Sequence, residues 1–388
     1  MIILAVLYTV SAIGSGIAWD WYSFLIFRLL GGLAVGGTSV VAPMYIAEIS
    51  PAKIRGRLVA ITQFNIVLGI LIAFFSNFLI AQMELGPIEW RWMFGVEAFP
   101  AVAFFFLLLT IPFSPRWLVA QNRIDEAQKV FMQVGADLDI DTEIRDIKES
   151  LNFEQLQLRE PFFTMKYYKP IMLAVAIAAF NQLSGINAFL YYAPQIFRMT
   201  GSGESSALLQ SVAVGGTNLI FTMLALFVID HFGRKKLMLV GSIGYIISLS
   251  VVAIAFYVYG TEFTAAGGII TLSALLLFIA SHAFGQGAVI WVFISEIFPN
   301  RVRARGQALG SSTHWIMAAL ISWTFPVMAD WSGGHAFAFF AGMMVLQLIW
   351  VLFIMPETKG VPLEQIEKQL GIEKQENDME VRESMKLA

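Results

Sequence analysis

EISPAKIR at residues 48–55 and EIFPNRVR at residues 296–303 place an acid, a proline and an arginine at the same spacing, each where a long apolar run ends. A motif used twice in this way divides the chain into two related halves, each built from several hydrophobic spans, as in many secondary transporters. In the second half the motif closes the fourth apolar span after a central polar stretch, and in the first half it closes only the second. Two further helices are therefore expected ahead of Met1. The uncharged helix that starts at Met1 also reads as the middle of a longer protein, and residues 1–18 lack the basic segment that opens a cleavable signal peptide.

Of 388 residues, 57% are hydrophobic and 14% charged, which is the balance of a membrane protein and not of a soluble domain that must cover its core with charge. The 33 phenylalanines suit lipid-facing surfaces and the 31 glycines suit close helix packing. A net charge of -3 gives no reason to expect nucleic-acid binding, and the lack of cysteine excludes disulfides, thiolate nucleophiles and cysteine metal sites. No grouping of nucleophile with base, or of metal ligands, points to an enzyme, so neither cofactor nor metal is expected.

A bilayer core needs about 20 apolar residues per helix. On that measure ten spans are predicted: 1–18, 21–47, 59–82, 92–112, 171–197, 207–229, 237–259, 268–296, 306–328 and 334–355. Of the 25 Lys and Arg residues, all but Arg28, Arg91 and Arg198 fall in alternate loops or in the tail. The positive-inside rule makes those segments cytoplasmic, and with them both termini. The expected organisation is an incomplete four-span bundle (1–113), a cytoplasmic linker with short amphipathic helices (114–170), a six-span bundle (171–356) and a charged cytoplasmic tail (357–388).

Several ordered stretches resemble the sugar porter family of the major facilitator superfamily: Arg28, Gly32 and Gly36 at their spacing, PMYIAEISPAKIRG (43–56), WRWMFG (90–95), PFSPRWL (112–118), NQLSGINAFLYYAP (181–194), the Asp230, Gly233, Arg234 turn, WVFISEIFP (291–299) and PETKG (356–360). The resemblance begins at the family's third helix. It implies an all-α integral membrane protein of the major facilitator fold with ten of its twelve transmembrane helices, four in the N-domain and six in the C-domain. It also implies a central monosaccharide site that opens alternately to either side of a plasma or inner membrane.

A sugar offers a ring of hydroxyls and a weakly apolar face, so its site calls for carboxamides, which donate and accept at once, and for aromatic planes. Gln63, Gln182, Asn187 and Asn218 lie inside apolar spans, and Trp291 and Trp315 supply the rings. By resemblance Gln63, Gln182, Asn187, Asn218 and Trp291 fall on sugar-contacting positions, with Tyr191 at an outer gate. Buried amides also tie membrane helices together, and for a lone Asn or Gln that reading competes. Gly185 within LSGIN is expected to let its helix bend. The chain departs from the family pattern at Asn181 (usually Gln), His282 (usually Phe near the sugar), His314 (where an amide is common), Ala288 (for a helix-bending Pro) and Phe113 (for the Glu of PESPR). Asn181, His282 and His314 stay among the candidate sugar contacts.

Glu48 with Arg55, Asp230 with Arg234, and Glu296 with Arg303 set acids and bases at helix ends, where water exposure can differ between states. By resemblance they form a cytoplasmic gate. Solvated basic turns would account for the arginines but not for three acids so placed. Arg28 lies inside a span, where an unpaired charge is costly. In proton-coupled members of the family its partner is an acid on the first helix. Symport with a proton and facilitated diffusion both fit these residues. Alternatives to a hexose or pentose transporter are a porter for inositol or another polyol, and a sugar receptor that does not transport.

Overall fold

The computed structural model describes residues 1–50, 55–134, 140–157, 161–260, 262–299, 301–361 and 363–372, which form helices and turns with no strand. The chain divides into two compact units, Met1–Leu156 and Gln157–Ala388.

The first unit holds α1 (Ile2–Ile17), α2 (Trp21–Ile49), α3 (Arg55–Ala81), α4 (Glu89–Gly95), α5 (Ala98–Leu108), α6 (Pro115–Ala120), α7 (Ile124–Val134) and α8 (Ile140–Gln157). α1 buries only small residues, among them Ala5, Ser11, Ala12 and Gly14, so that α2, α4 and α5 can pack closely on it. Asp20 starts α2 with a reciprocal cap: its Oδ1 accepts the Ser23 N–H at 2.7 Å and its own N–H donates to Ser23 Oγ at 3.2 Å. Ser114 caps α6 by accepting the Trp117 N–H at 3.3 Å, with Pro115 at the first helical position. The amphipathic α7 and α8 close over α6 through Leu118, Val119, Ala127, Val130, Phe131 and Ile144.

The second unit runs through α9 (Tyr168–Leu183), α10 (Ile186–Met199), α11 (Glu204–Phe232), α12 (Arg234–Tyr259), α13 (Ala265–Phe284), α14 (Gln286–Glu296), α15 (Arg303–Trp331), α16 (Gly333–Phe353) and α17 (Leu363–Leu370). α12 packs against α13 and α16, α9 against α15, and α11 against α13. Its outward faces are apolar, with Phe227, Trp323 and Phe353 all more than three-quarters exposed, as expected of surfaces that meet lipid. α17 turns Ile366 and Leu370 into a core shared with Tyr167, Phe298 and Met355.

Two interruptions shape this unit. The bend expected at Gly185 is present: its φ is +83°, a left-handed value that favours glycine, and a Cβ there would stand 2.7 Å from the Phe340 ring. The second separates α13 from α14 at Gly285, whose backbone lies so close to α12 that a Cβ would come within 2.9 Å of the Gly241 Cα. Both breaks leave a short half-helix, α10 or α14, on the far side.

Among the described residues, eight stretches are long and apolar enough to cross a membrane: Trp21–Ile46, Ile61–Ala81, Gly86–Leu108, Met165–Met199, Glu204–Ile229, Arg234–Tyr259, Ala265–Glu296 and Gly333–Phe353. They coincide with eight of the ten predicted spans. The other two are also helical but fall short on different grounds. α1 has 16 residues, and at 1.5 Å per residue a helix of that size reaches only about 24 Å of a ~30 Å hydrocarbon core. α15 is long, but its first turns hold Arg303, Arg305, Gln307, Ser311, Ser312, Thr313 and His314.

Candidate functional site

In the second unit, the last turn of α9 brings Asn181 and Gln182 inward just before the chain breaks at Gly185. Gln182 is fully buried. Its Nε2 donates to Asn181 Oδ1 at 3.0 Å and faces the His314 ring of α15 at 3.2 Å from Nδ1, while its Oε1 meets no hydrogen-bond donor among the described residues. A buried acceptor without a donor costs free energy unless a ligand or water supplies one. Asn181 is itself buried and acts here as the partner of Gln182.

The aromatic side of the site follows from His314. Its ring centroid lies 5.1 Å from that of Trp291 on α14 and 5.3 Å from that of Trp315, the latter edge-on. Both indoles keep about two-fifths of their surface open, at 40% and 41%, although neither stands at a helix end. Amide, imidazole and two indoles from α9, α14 and α15 thus form one cluster.

Past Gly185, Asn187 is half-buried and makes no hydrogen bond among the described residues, and Tyr191, one turn further, is exposed. Asn218 on α11 is buried, and its Oδ1 accepts the Thr222 hydroxyl at 3.4 Å. His282 is half-buried on α13, with Nδ1 2.5 Å from the Tyr245 hydroxyl. Gln63 belongs to the first unit, where it is half-buried on α3 without a hydrogen-bond partner among the described residues. No three acidic or histidine side chains among the described residues converge where a metal could sit.

The charged residues are placed differently from what neighbouring sequence suggests. Glu296, the last residue of α14, takes the guanidinium of Arg234 in a two-pronged pair at 2.7 and 3.1 Å, not that of Arg303, and it also accepts the Thr358 hydroxyl at 2.6 Å. Arg234 starts α12 beside the end of α14, so a partner distant in sequence is the one that reaches. Arg303 is half-buried at the start of α15. Burial lowers its pKa from the ordinary value, opposed by the charges of Glu367 and Glu296. Glu357 accepts the backbone N–H groups of Arg234 and Lys235 at 2.9 and 3.1 Å, an acid at a helix N-terminus. In the first unit the Glu48 carboxylate accepts the Ser114 hydroxyl. The side chains of Arg55 and Asp230, and all of Pro51, lie outside what the structure describes. At the departure from PESPR, Phe113 stacks on Trp117 at 4.9 Å, and the Arg123 guanidinium sits 5.7 Å from each ring.

Arg28 has a partner that the sequence reading did not name: Glu97, between α4 and α5, 3.3 Å from its guanidinium. Glu97 is the one acid inside the predicted span 92–112, a signal that could have found it. Three further polar residues went unread, Tyr245, Gln286 and Gln347, all fully buried. Glutamines inside the apolar runs AFGQGAVIW and VLQLIW were the available signal for two of them.

Long apolar helices, two of them broken beside a cluster of amides and open indoles, define a helical membrane transporter. The family model for "Sugar (and other) transporter" matches residues 1–370, and the chain belongs to that family. The D-xylose-proton symporter of Escherichia coli (strain K12) is 37% identical over 355 residues, 89% of this chain and 71% of the symporter. The glucose transport protein of Synechocystis sp. is 36% identical over 383 residues, covering 94% and 82% of the two chains. The arabinose-proton symporter of Bacillus subtilis is 35% identical over 371 residues, 94% of this chain and 78% of the relative. Among solved structures, the inward open conformation of the xylose transporter XylE from E. coli matches with a TM-score of 0.81 and 35% identity over 95% of this chain and 81% of that one. The fold is accordingly that of the major facilitator superfamily, and the protein is a multi-pass membrane transporter, not an enzyme.

Proposed function

We propose that this chain carries a monosaccharide, a hexose or a pentose, across the cell membrane by alternating access, in symport with a proton and with both termini cytoplasmic. The observation that carries the reading is Gln182: a fully buried amide whose Oε1 lacks a donor, next to His314 and the open face of Trp291. A sugar hydroxyl is the donor that oxygen lacks, and an indole is the surface a pyranose face prefers. Asn187 and Asn218 supply further amides, and Tyr191 is assigned to an outer gate. The similarity to symporters for xylose and arabinose supports the substrate class and the proton coupling.

The Arg28–Glu97 pair is the candidate coupling element, since an acid beside an arginine within apolar spans is the kind of group whose protonation can be tied to a conformational change. Glu48, Arg55, Asp230, Arg234, Glu296 and Arg303 are assigned to a cytoplasmic gate. The test is uptake of labelled glucose, xylose and arabinose into liposomes carrying the protein, with and without an imposed proton gradient. Saturable uptake of at least one sugar, accelerated by an inward gradient and lost in Gln182→Leu, is the expected result. Uptake that ignores the gradient removes symport, and a Gln182→Leu variant with unchanged transport removes the site.

A further inference from the structure

A second hydrogen-bonded chain runs through the second unit, apart from the Gln182 cluster. The His282 Nδ1 lies 2.5 Å from the Tyr245 hydroxyl, which lies 3.2 Å from Gln286 Oε1. Gln286 Nε2 donates to Gln347 Oε1 at 2.8 Å, Gln347 Nε2 to Ser242 Oγ at 2.8 Å, and Ser242 to the Met238 carbonyl at 2.7 Å. Tyr245, Gln286, Gln347 and Ser242 are all fully buried, and with His282 they link α12, α13, α14 and α16. A row of buried polar groups this long is costly unless every link is made.

The direction of the row decides the chemistry of its end. A phenol carries one proton. Gln286 Oε1 can only accept, so Tyr245 donates to it and must itself accept from His282, which puts the proton of the neutral imidazole on Nδ1. Turning both amides over reverses every link and moves that proton to Nε2, but Ser242 must then donate to Gln347 and its bond to Met238 is lost. The forward direction keeps one more hydrogen bond.

We infer that this relay fixes His282 in the Nδ1–H tautomer, so that its Nε2 is a hydrogen-bond acceptor that demands a donating hydroxyl from the transported solute. Nε2 meets no donor among the described residues, and it borders Gly287, where a Cβ would stand only 3.1 Å away. The ring is half-buried, and Gly287, which its Nε2 borders, lies one helical turn before Trp291 on the same face of α14. Gln182 Oε1 and His282 Nε2 then present two acceptors without donors, a pattern that selects a polyhydroxyl solute. Tyr245, Gln286, Gln347 and Ser242 are positioning residues in this account. It rests on the sugar-transport reading above for the identity of the solute, but not for the tautomer.

Two measurements on the full chain test it. The first is ¹⁵N NMR of histidine-labelled protein, with the His282 signal assigned by His282→Asn. Wild type should show a neutral ring protonated at Nδ1, and Tyr245→Phe should shift the proton toward Nε2. A wild-type ring protonated at Nε2, or a tautomer indifferent to Tyr245→Phe, overturns the inference. Gln347→Leu, which leaves the tyrosine in place, is the second variant should the first not fold.

The second measurement is binding of singly fluorinated glucoses and xyloses, since fluorine can accept but not donate. One ring position should lose about tenfold in affinity on fluorination in wild type and less than about threefold in Tyr245→Phe, the scale of one hydrogen bond. Equal penalties in the two proteins count against the relay. Wild-type protein that binds no hexose or pentose overturns the transport reading instead, and the tautomer measurement still decides the relay.

Discussion

Gln182 Nε2 sits 3.2 Å from His314 Nδ1, so the last turn of α9 is joined to the middle of α15 at a point where the neighbouring Oε1 of the same amide meets no donor among the described residues. One half of this side chain is structural and the other half is free for a ligand. Gln182→Leu should accordingly weaken sugar binding by about 10- to 100-fold, the loss expected when a buried group loses a hydrogen-bond partner. Melting temperature should fall only slightly, because the substitution also removes an unpaired acceptor. Calorimetric titration beside thermal unfolding in detergent separates the two effects.

Trp291 keeps about two-fifths of its surface open, at 40%, with the His314 ring tilted against it at 5.1 Å. Replacing it with Ala should raise the apparent KM for sugar uptake by at least about tenfold, as loss of an aromatic surface does at a binding pocket, and Phe should restore part of it. Initial-rate uptake over a range of sugar concentrations reads the difference.

Gly185→Ala meets two obstacles at once, a φ of +83° and the Phe340 ring at 2.7 Å from the new methyl group. A destabilisation of at least about 2 kcal/mol is expected. Gly185→Ala combined with Phe340→Ala should recover only the steric share, which thermal unfolding of the two variants would show.

Arg234 and Glu296 have side chains only 9% and 25% exposed, so removing either takes a two-pronged contact from a charge that little water reaches. Glu296→Ala should cost about 3 kcal/mol, and more than Thr358→Ala, which deletes a single hydroxyl donor. Exchange of the two charges, Arg234→Glu with Glu296→Arg, should restore only part of the loss, because Arg234 also donates through Nη1 to the Ile229 carbonyl at 3.4 Å. Unfolding midpoints of the four proteins give the comparison.

Arg28 and Glu97 are each about half exposed within the first unit, so Glu97→Gln should change stability by less than about 1 kcal/mol. Its effect belongs to coupling: gradient-driven accumulation of sugar should collapse while exchange of sugar for sugar, which moves no net proton, continues. Parallel accumulation and exchange assays in liposomes measure this.

Much of the fold was legible because its causes are periodic or compositional. Apolar length marked the spans, and the repeated EISP and EIFP turns marked the two halves. The span 306–328 was read from its apolar residues and is helical as α15, but Ser311, Thr313 and His314 in its first turns hold its apolar content below that of the other long spans. Pairings were the illegible part. Nothing in the spacing of Glu296 and Arg303 reveals that Arg234 reaches the carboxylate first, because that depends on where α12 begins relative to the end of α14. Gln286 and Gln347 went unread, because only the packing of α12, α14 and α16 sets them against one another.

The eleven residues of α14 are held at both ends by α12, at the start through Gln286 and Tyr245 with Gly285 pressed on Gly241, and at the finish through Glu296 and Arg234. Trp291 rides midway along this short rod, about 7 Å from either tip at the rise of an α-helix. A lever so brief and so firmly hinged does not flex along its length. Whatever pulls the carboxylate off its arginine therefore swings the indole too, and a solute resting on that ring would feel the latch through a single stiff body.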